Sequence, residues 1–306
     1  MRCGSAFPCR PEAAMFASHS LAGVTRTVPM RAFVLSLLLA TAAIAPAAAQ
    51  MVAPPKPARV AENFLPHRAT YDLKLKSARW ASAVSGLSGR MVSEFDDVCA
   101  GYTFNQRLVT DFTDSEGTAT SGNFWVSTYE SADGSDYRFT LNNAINGISV
   151  ERSQGSASRK SDGAASVAFT QPAAKSAELP QGTLFPTELA GKVLTAARTG
   201  QHALSAKIFE GDAEGVTYDV YAAIGVERAG IAGDFAVPGG DVLKGLKAWP
   251  VTVTYYEPGK EDEPPHYETS FILYENGVTS DATLDYGDFV LKATLKKIEP
   301  LKPSGC

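Results

Sequence analysis

Over most of its length the chain alternates apolar and polar side chains with a period of two. In Tyr71-Asp72-Leu73-Lys74-Leu75-Lys76 the apolar residues take the odd positions and the charged ones the even positions. In FVLKATLK, 289–296, Phe289, Leu291, Ala293 and Leu295 oppose Val290, Lys292, Thr294 and Lys296. Such alternation predicts strands with one buried face and one face in water. Similar runs fall near 88–96, 101–112, 118–130, 135–142, 148–154, 164–170, 203–210, 215–227, 249–257, 266–275 and 278–286. Between many of them stand Asp133-Gly134, Asn146-Gly147, Asp162-Gly163 and Asn276-Gly277, dipeptides that accept the positive φ of a tight hairpin. Up to about a dozen hairpin-linked strands form an antiparallel meander, and so many twisted strands curl on themselves. The expected fold class is therefore mostly β: a long meander curled into a spiral or an open barrel.

One segment departs from this pattern. LFPTELAGKVLTAARTG, 184–200, offers Thr187 as N-cap, Glu188 in the first turn, Arg198 in the last turn and Gly200 as terminator. Its apolar stripe is Leu189, Val193, Leu194 and Ala197, which predicts one main helix over 187–199. A lone amphipathic helix among curved strands plugs their concave side. Leu189, Val193 and Leu194 are thus expected to face the interior and to border any groove left open there. Ala229–Asp241, AGIAGDFAVPGGD, is small and glycine-rich and reads as a surface loop.

The N-terminal region carries a different pattern. From Met30 the chain reads MRAFVLSLLLATAAIAPAAAQ: a basic Arg31, an apolar run over 32–45, and Ala47-Ala48-Ala49 before Gln50. This is the layout of a secretory signal peptide cleaved between Ala49 and Gln50. The apolar run is short for a membrane span, and no cysteine follows the cleavage site to carry a lipid. Residues 1–29 show no amphipathic or apolar pattern, so they are read as a misassigned upstream extension, with translation starting at Met30. The domain map expected is 1–29 extension, 30–49 signal peptide, 50–64 proline-rich flexible lead-in, and 65–306 a single β domain.

Cleavage changes the charge and the cysteine count. Residues 1–49 hold four arginines and one glutamate, so the 28 basic and 33 acidic residues fall to 24 and 32, a net charge of about −8. Such a chain gains nothing from a polyanion, which argues against nucleic-acid binding and against simple adhesion to anionic lipid. Cys3 and Cys9 are lost, leaving Cys99 and Cys306. In an exported chain two cysteines are most simply a disulfide, with a reactive thiol at Cys99 or an intermolecular link as the alternatives. A loop closed between them restricts the unfolded chain by about 5 kcal/mol at the upper limit.

Catalytic vocabulary is sparse. His67, His202 and His266 stand far apart, and neither a metal-binding motif nor a nucleotide-binding glycine loop occurs, so no metal and no cofactor is expected. Gly86-Leu87-Ser88-Gly89 lacks the spacing of a nucleophile elbow, and Ser88 reads as turn chemistry. The acidic stretch 261–268 reads as a solvated hairpin loop, and Asp133-Gly134-Ser135-Asp136 as a turn. Aromatic residues are more informative. Tyr255, Tyr256, Tyr267, Phe271 and Tyr274, with Phe124, Trp125, Tyr129, Tyr137 and Phe139, either fill the core or line an apolar groove.

Several stretches resemble the EipB family of bacterial cell-envelope-integrity proteins. They are PHRATYDL at 66–73 with Lys76-Ser77, SGRMV at 88–92, CAGY at 99–102, LPQGTLFPT at 179–187, and the near-terminal Cys306. The resemblance implies a periplasmic protein of Alphaproteobacteria with a spirally curved antiparallel sheet, similar to the lipoprotein carriers LolA and LolB. It also implies a disulfide between Cys99 and Cys306. The family has no established enzymatic activity. The function expected is accordingly a non-enzymatic periplasmic factor, monomeric and not membrane-integral after cleavage, that supports envelope integrity by binding a periplasmic protein, a lipid or a lipoprotein segment. The alternative is a cell-wall hydrolase whose paired carboxylates only the fold brings together.

Overall fold

The computed structural model describes residues 59–302 apart from Glu62, Ala81 and Ala83. The expected extension, the signal peptide with its Ala49–Gln50 cleavage site, and Cys306 lie outside the described residues. Eight strands come first: β1 (His67–Ala78), β2 (Val84–Asp97), β3 (Gly101–Asp114), β4 (Ala119–Ser131), β5 (Asp136–Ile145), β6 (Ile148–Arg159), β7 (Ala165–Gln171) and β8 (Lys175–Leu179). A short β9 (Thr183–Leu184) leads into helix α1 (Pro186–Arg198). Then come β10 (Ala203–Phe209), β11 (Thr217–Ile224), the two-residue β12 (Arg228–Ala229) and the one-turn helix α2 (Ala232–Phe235). The chain closes with β13 (Lys247–Tyr256), β14 (Tyr267–Tyr274), β15 (Thr279–Asp285) and β16 (Phe289–Pro300).

All the strands belong to one sheet, ordered β8-β7-β6-β5-β4-β3-β2-β1-β16-β15-β14-β13-β11-β10-β9, with β12 beside β13. The first and last strands lie side by side, with Leu73 opposite Ala293, and two meanders run outward from them. The hairpins that the sequence marks form as expected; at the turn from β5 to β6, Asn146 and Gly147 have φ of 51° and 79°. Both ends of the sheet, β8 and β9, meet in sequence across residues 180–182, so the sheet nearly closes into a barrel. An aromatic cluster seals this seam: Phe185 stacks on Tyr137 at 5.0 Å, and Phe209 stands edge-on to Phe139 at 5.5 Å.

Helix α1 plugs one end of the interior. Leu189, Val193 and Leu194 are 6 %, 3 % and 1 % exposed and pack with Ile208, Val251 and Val253 of the surrounding strands, as the apolar stripe predicts. Full burial of each such side chain stabilises the fold by about 1.5–3 kcal/mol. The cap differs from expectation. Phe185, not Thr187, is the N-cap, with Pro186 opening the helix, and no side chain of the helix itself caps it. Instead the buried carboxylate of Glu130, at the end of β4, accepts the backbone N–H groups of Thr187 and Glu188, both at 2.8 Å. A proline at the first helical position needs no N–H partner, so the next two donors turn to the sheet.

Three further expectations are corrected. The lead-in 50–64 is not flexible at its C-terminal end: Val60 N–H donates to Ala132 O at 2.9 Å, and Ala61 is 2 % exposed. Arg59 donates to Asp97 at 2.6 Å and to the Tyr102 hydroxyl at 3.1 Å. Helix α1 makes room for this segment with Gly191, where a Cβ would lie 1.6 Å from Val60 O. The segment 229–241 is not merely a surface loop, because it holds α2 and buries Asp234, which accepts the Tyr274 hydroxyl at 2.7 Å and the Ser280 hydroxyl. Ser88 sits mid-strand on the exposed face of β2, not in a turn. Strand β8 went unread because KSAEL has almost no apolar alternation: it is a sheet edge, exposed up to Leu179, where charged side chains protect against further strand pairing.

Candidate functional site

Antiparallel pairing sorts the turns into two groups. Those around 98–100, 132–135, 160–164 and 275–278 surround α1, while those around 79–83, 115–118, 146–147 and 286–288 rim the opposite end. Toward this second end the interior is not filled. A cavity of about 600 Å³ lies between the two meanders. On β3 and β4 the even positions point into it: Leu108 and Phe124 are directly paired neighbours, with Phe112 nearer the rim. The facing wall is Phe271, Leu284, Tyr286 and Phe289 from β14, β15, the following turn and β16. Gln106 and the other polar residues of the lining are all uncharged. Phe112 and Phe289 meet edge-on at 6.4 Å near the mouth.

Between this chamber and α1 lie two smaller ones. The first, about 160 Å³, shares Thr269, Phe271 and Thr279 with the large chamber and is backed by Leu189 and Val193 of the helix. The second, about 210 Å³, reaches His67 and Tyr71 and shares Phe64, Pro186 and Ala190 with the first. Glu210, just past β10, is the one ionisable carboxyl among these linings. It is half-buried, and its side chain lines the inner chamber. Burial pushes its pKa up to about 7, aided by Asp212 and opposed by the hydrogen bond from the Tyr267 hydroxyl at 3.0 Å. Tyr267 stacks on Tyr255 at 4.0 Å, and burial raises both phenols. Behind the helix, burial likewise pushes Glu130 up to about 7 against the pull of its two N–H donors. His67 is held neutral by burial, its Nδ1 2.7 Å from Leu65 O.

The aromatic residues divide by strand parity. Of the ten, Phe124, Phe271 and Tyr255 line the chambers. Tyr137 and Phe139 fill the seam, and Tyr274 is buried with its hydroxyl on Asp234. Trp125 follows Phe124 by one position and therefore faces outward, 36 % exposed. Leu189 and Val193 border the inner chamber, while Leu194 is core behind it. Phe112, Leu284, Tyr286 and Phe289 were missed as lining, although each lies at or beside the inward parity of its strand. The acidic stretch 261–268 is an exposed loop running into β14, and among the described residues no group of three or more His, Cys, Asp or Glu side chains is placed to hold a metal. Cys99 is disulfide-bonded, in the turn between β2 and β3, with φ 66°. The last described residues leave β16 at that same end, where Leu301 N–H donates to Pro66 O at 2.8 Å.

The EipB-like family model matches residues 58–302, which take in the whole described sheet. The cell envelope integrity protein EipB of Brucella abortus is 35 % identical over 243 residues, covering 78 % of this chain and 85 % of that protein. A crystal structure of a beta-barrel-like protein of domain of unknown function DUF1849, also from Brucella abortus, superposes with a TM-score of 0.72 at 34 % identity, over 78 % of this chain and 99 % of that one. The match begins at the docked segment around Arg59 and ends where β16 leaves the sheet, so it takes in the plug helix and every wall of the chambers. The chain belongs to the EipB-like family.

Proposed function

We propose that the chain is a non-enzymatic periplasmic factor that supports cell-envelope integrity by holding an apolar ligand, the acyl chain of a lipid or of a lipoprotein segment, inside its sheet. The carrying observation is the chamber of about 600 Å³ with no charged side chain in its lining. That volume falls within the range of small-molecule sites, which are mostly apolar with few polar groups. A sheet whose concave side were only core would be filled to the density of protein interiors. The related Brucella protein is named for envelope integrity, and a chamber for acyl chains suits a protein working between membranes. Hydrolysis has less to work with here, because the large chamber carries no carboxylate and the inner one only Glu210.

The test uses the full exported protein and N-phenyl-1-naphthylamine, a dye that fluoresces in apolar surroundings. Fluorescence should rise with the protein and fall when dodecanol or a lysophospholipid is added. Replacing Leu108 and Leu284 together by Phe, which fills the chamber without adding charge, should abolish the signal. No dye binding by the wild-type protein would overturn the reading, and capture of one periplasmic protein at the mouth would then favour a protein-interaction scaffold. Mass analysis of the same exported material should begin at Gln50.

A further inference from the structure

An apolar chain alone gives the interior no use for a carboxylate, yet Glu210 lines the inner chamber among Leu189, Val193, Tyr255 and Phe271. Its Oε2 accepts the Tyr267 hydroxyl at 3.0 Å, and its Oε1 is not among the buried side-chain atoms left without a partner in the described residues. The groups that act on it electrostatically are all acidic or neutral: Asp212 is the charged one, with Tyr137, Tyr218, Tyr255 and Tyr267 around it. The lysines of the same region are committed elsewhere. Lys175 Nζ donates to the carbonyls of Ala213 and Glu214 at 2.8 and 3.2 Å, and Lys207 pairs with Asp219. A half-buried carboxylate with no counter-charge gains an ion pair when a ligand ammonium takes the place of water beside it.

We propose that Glu210 is the polar anchor of the interior and that the ligand is an amphiphile whose apolar chain carries a cationic amine, the amine at Glu210 and the chain in the large chamber. This rests on the reading that the chamber binds apolar ligands. Thr269 and Phe271 line both chambers, so a chain in the larger one continues directly to Glu210. An ammonium there receives what the protein withholds: an ion pair with the carboxylate and aromatic ring edges and faces close by. An anionic head group meets Glu210 and Asp212, both of its own sign. An uncharged head group leaves the carboxylate without its partner.

Three probes of equal chain length separate these cases: dodecylamine, dodecanol and dodecanoate, each displacing the dye at pH 7.5. The amine should compete at least about tenfold more strongly than the carboxylate, equivalent to about 1.4 kcal/mol, with the alcohol between them. Glu210→Gln should cost the amine about tenfold relative to the alcohol, which separates this anchor from the general attraction of a negative protein for cations. Tyr267→Phe, which removes the hydroxyl holding Glu210, should weaken the amine preference in part. Equal or stronger binding of dodecanoate, or an amine preference that survives Glu210→Gln, would overturn the proposal while leaving the chamber intact. Absence of displacement by all three would remove the chamber reading and this proposal with it.

Discussion

The two ends of the interior are built from the same curved sheet and differ in what occupies them. At the closed end α1 supplies Leu189, Val193 and Leu194, the helix N–H groups find Glu130, and Arg59–Ala61 docks over Gly191. At the open end no helix of the described residues enters, and the rings of Phe112, Phe124, Phe271 and Phe289 surround a void. A helix of 13 residues is about 20 Å long, and it covers only part of the concave face. The lesson is that side-chain size does not make a core. Aromatic rings stand at both ends, but at the closed end Phe95 and Tyr102 pack against Ala61 and a backbone approach that only glycine permits, while at the open end the rings face one another across a space.

The largest effect should come from placing one carboxylate at each end. Val193→Asp buries an unpaired charge against Val251 and Val253 and should cost about 3–5 kcal/mol, seen as a large drop in melting temperature. Leu108→Asp faces the chamber, where water can follow the charge, and should cost roughly half of that or less. Equal losses at the two sites would mean that the open end is packed in solution, and the contrast would collapse.

A covalent tie comes next. Cys99 lies at the closed end and is disulfide-bonded, and we expect Cys306 as its partner within the same chain. Cys99→Ser should lower stability by about 2–4 kcal/mol without producing a dimer. Nonreducing peptide mapping should give one joined pair, 99 with 306. A free thiol at Cys306 in oxidised protein would contradict the pairing.

How far the sequence carried this picture depends on which signal a residue leaves. Strands and hairpins were legible because alternation and Asn-Gly or Asp-Gly turns are local. So was the helix, whose stripe named Leu189, Val193 and Leu194. The cap was not legible: Glu130 is far from Thr187 in the chain, and only the fold brings them together. Yet both buried glutamates left a trace. Glu130 follows Phe124, Val126 and Thr128 at inward parity on β4, and Glu210 follows Leu204, Ala206 and Ile208 beyond β10. An acid that continues an inward-facing series marks a buried carboxyl. The chamber was legible only as one of two alternatives for Phe124, Tyr255 and Phe271, because alternation reports which face a side chain takes and not whether anything fills the space opposite.

Gly191→Ala is the next smaller perturbation, and it acts where backbone meets backbone. The new Cβ would lie 1.6 Å from Val60 O, so the docked segment must move away. Overpacking of this kind costs about 1–3 kcal/mol, offset by up to about 1 kcal/mol from the better helix propensity of alanine. The net loss should be about 1–2 kcal/mol, accompanied by new proteolytic cleavage at Arg59. Unchanged stability with Arg59 still protected would show that the segment does not rest on the helix.

The smallest effect should be the pH dependence of stability carried by Glu210. Burial raises its pKa in the folded protein from 4.5 to about 7, so the folded state holds the proton more tightly than the unfolded chain does. Its contribution is then complete below about pH 4.5 and is lost as pH rises through about 7. Glu130 has the same direction and the same window. His67 opposes them: burial lowers its pKa from 6.5, so its contribution is lost as pH falls below 6.5. The total profile therefore mixes signs, and the comparison that isolates Glu210 is wild type against Glu210→Gln. Each tenfold change in proton affinity is worth about 1.4 kcal/mol, and water reaching the chamber screens part of it. The variant should match wild type near pH 5 and exceed it by about 1 kcal/mol at pH 8, where wild type carries an unpaired carboxylate. A variant less stable at pH 8 than at pH 5, relative to wild type, would mean that the ionised carboxylate already has a partner at the inner chamber, and the two ends would differ in filling but not in charge. Saturating dodecylamine should remove the gap at pH 8, because it supplies the counter-charge only where Glu210 is present.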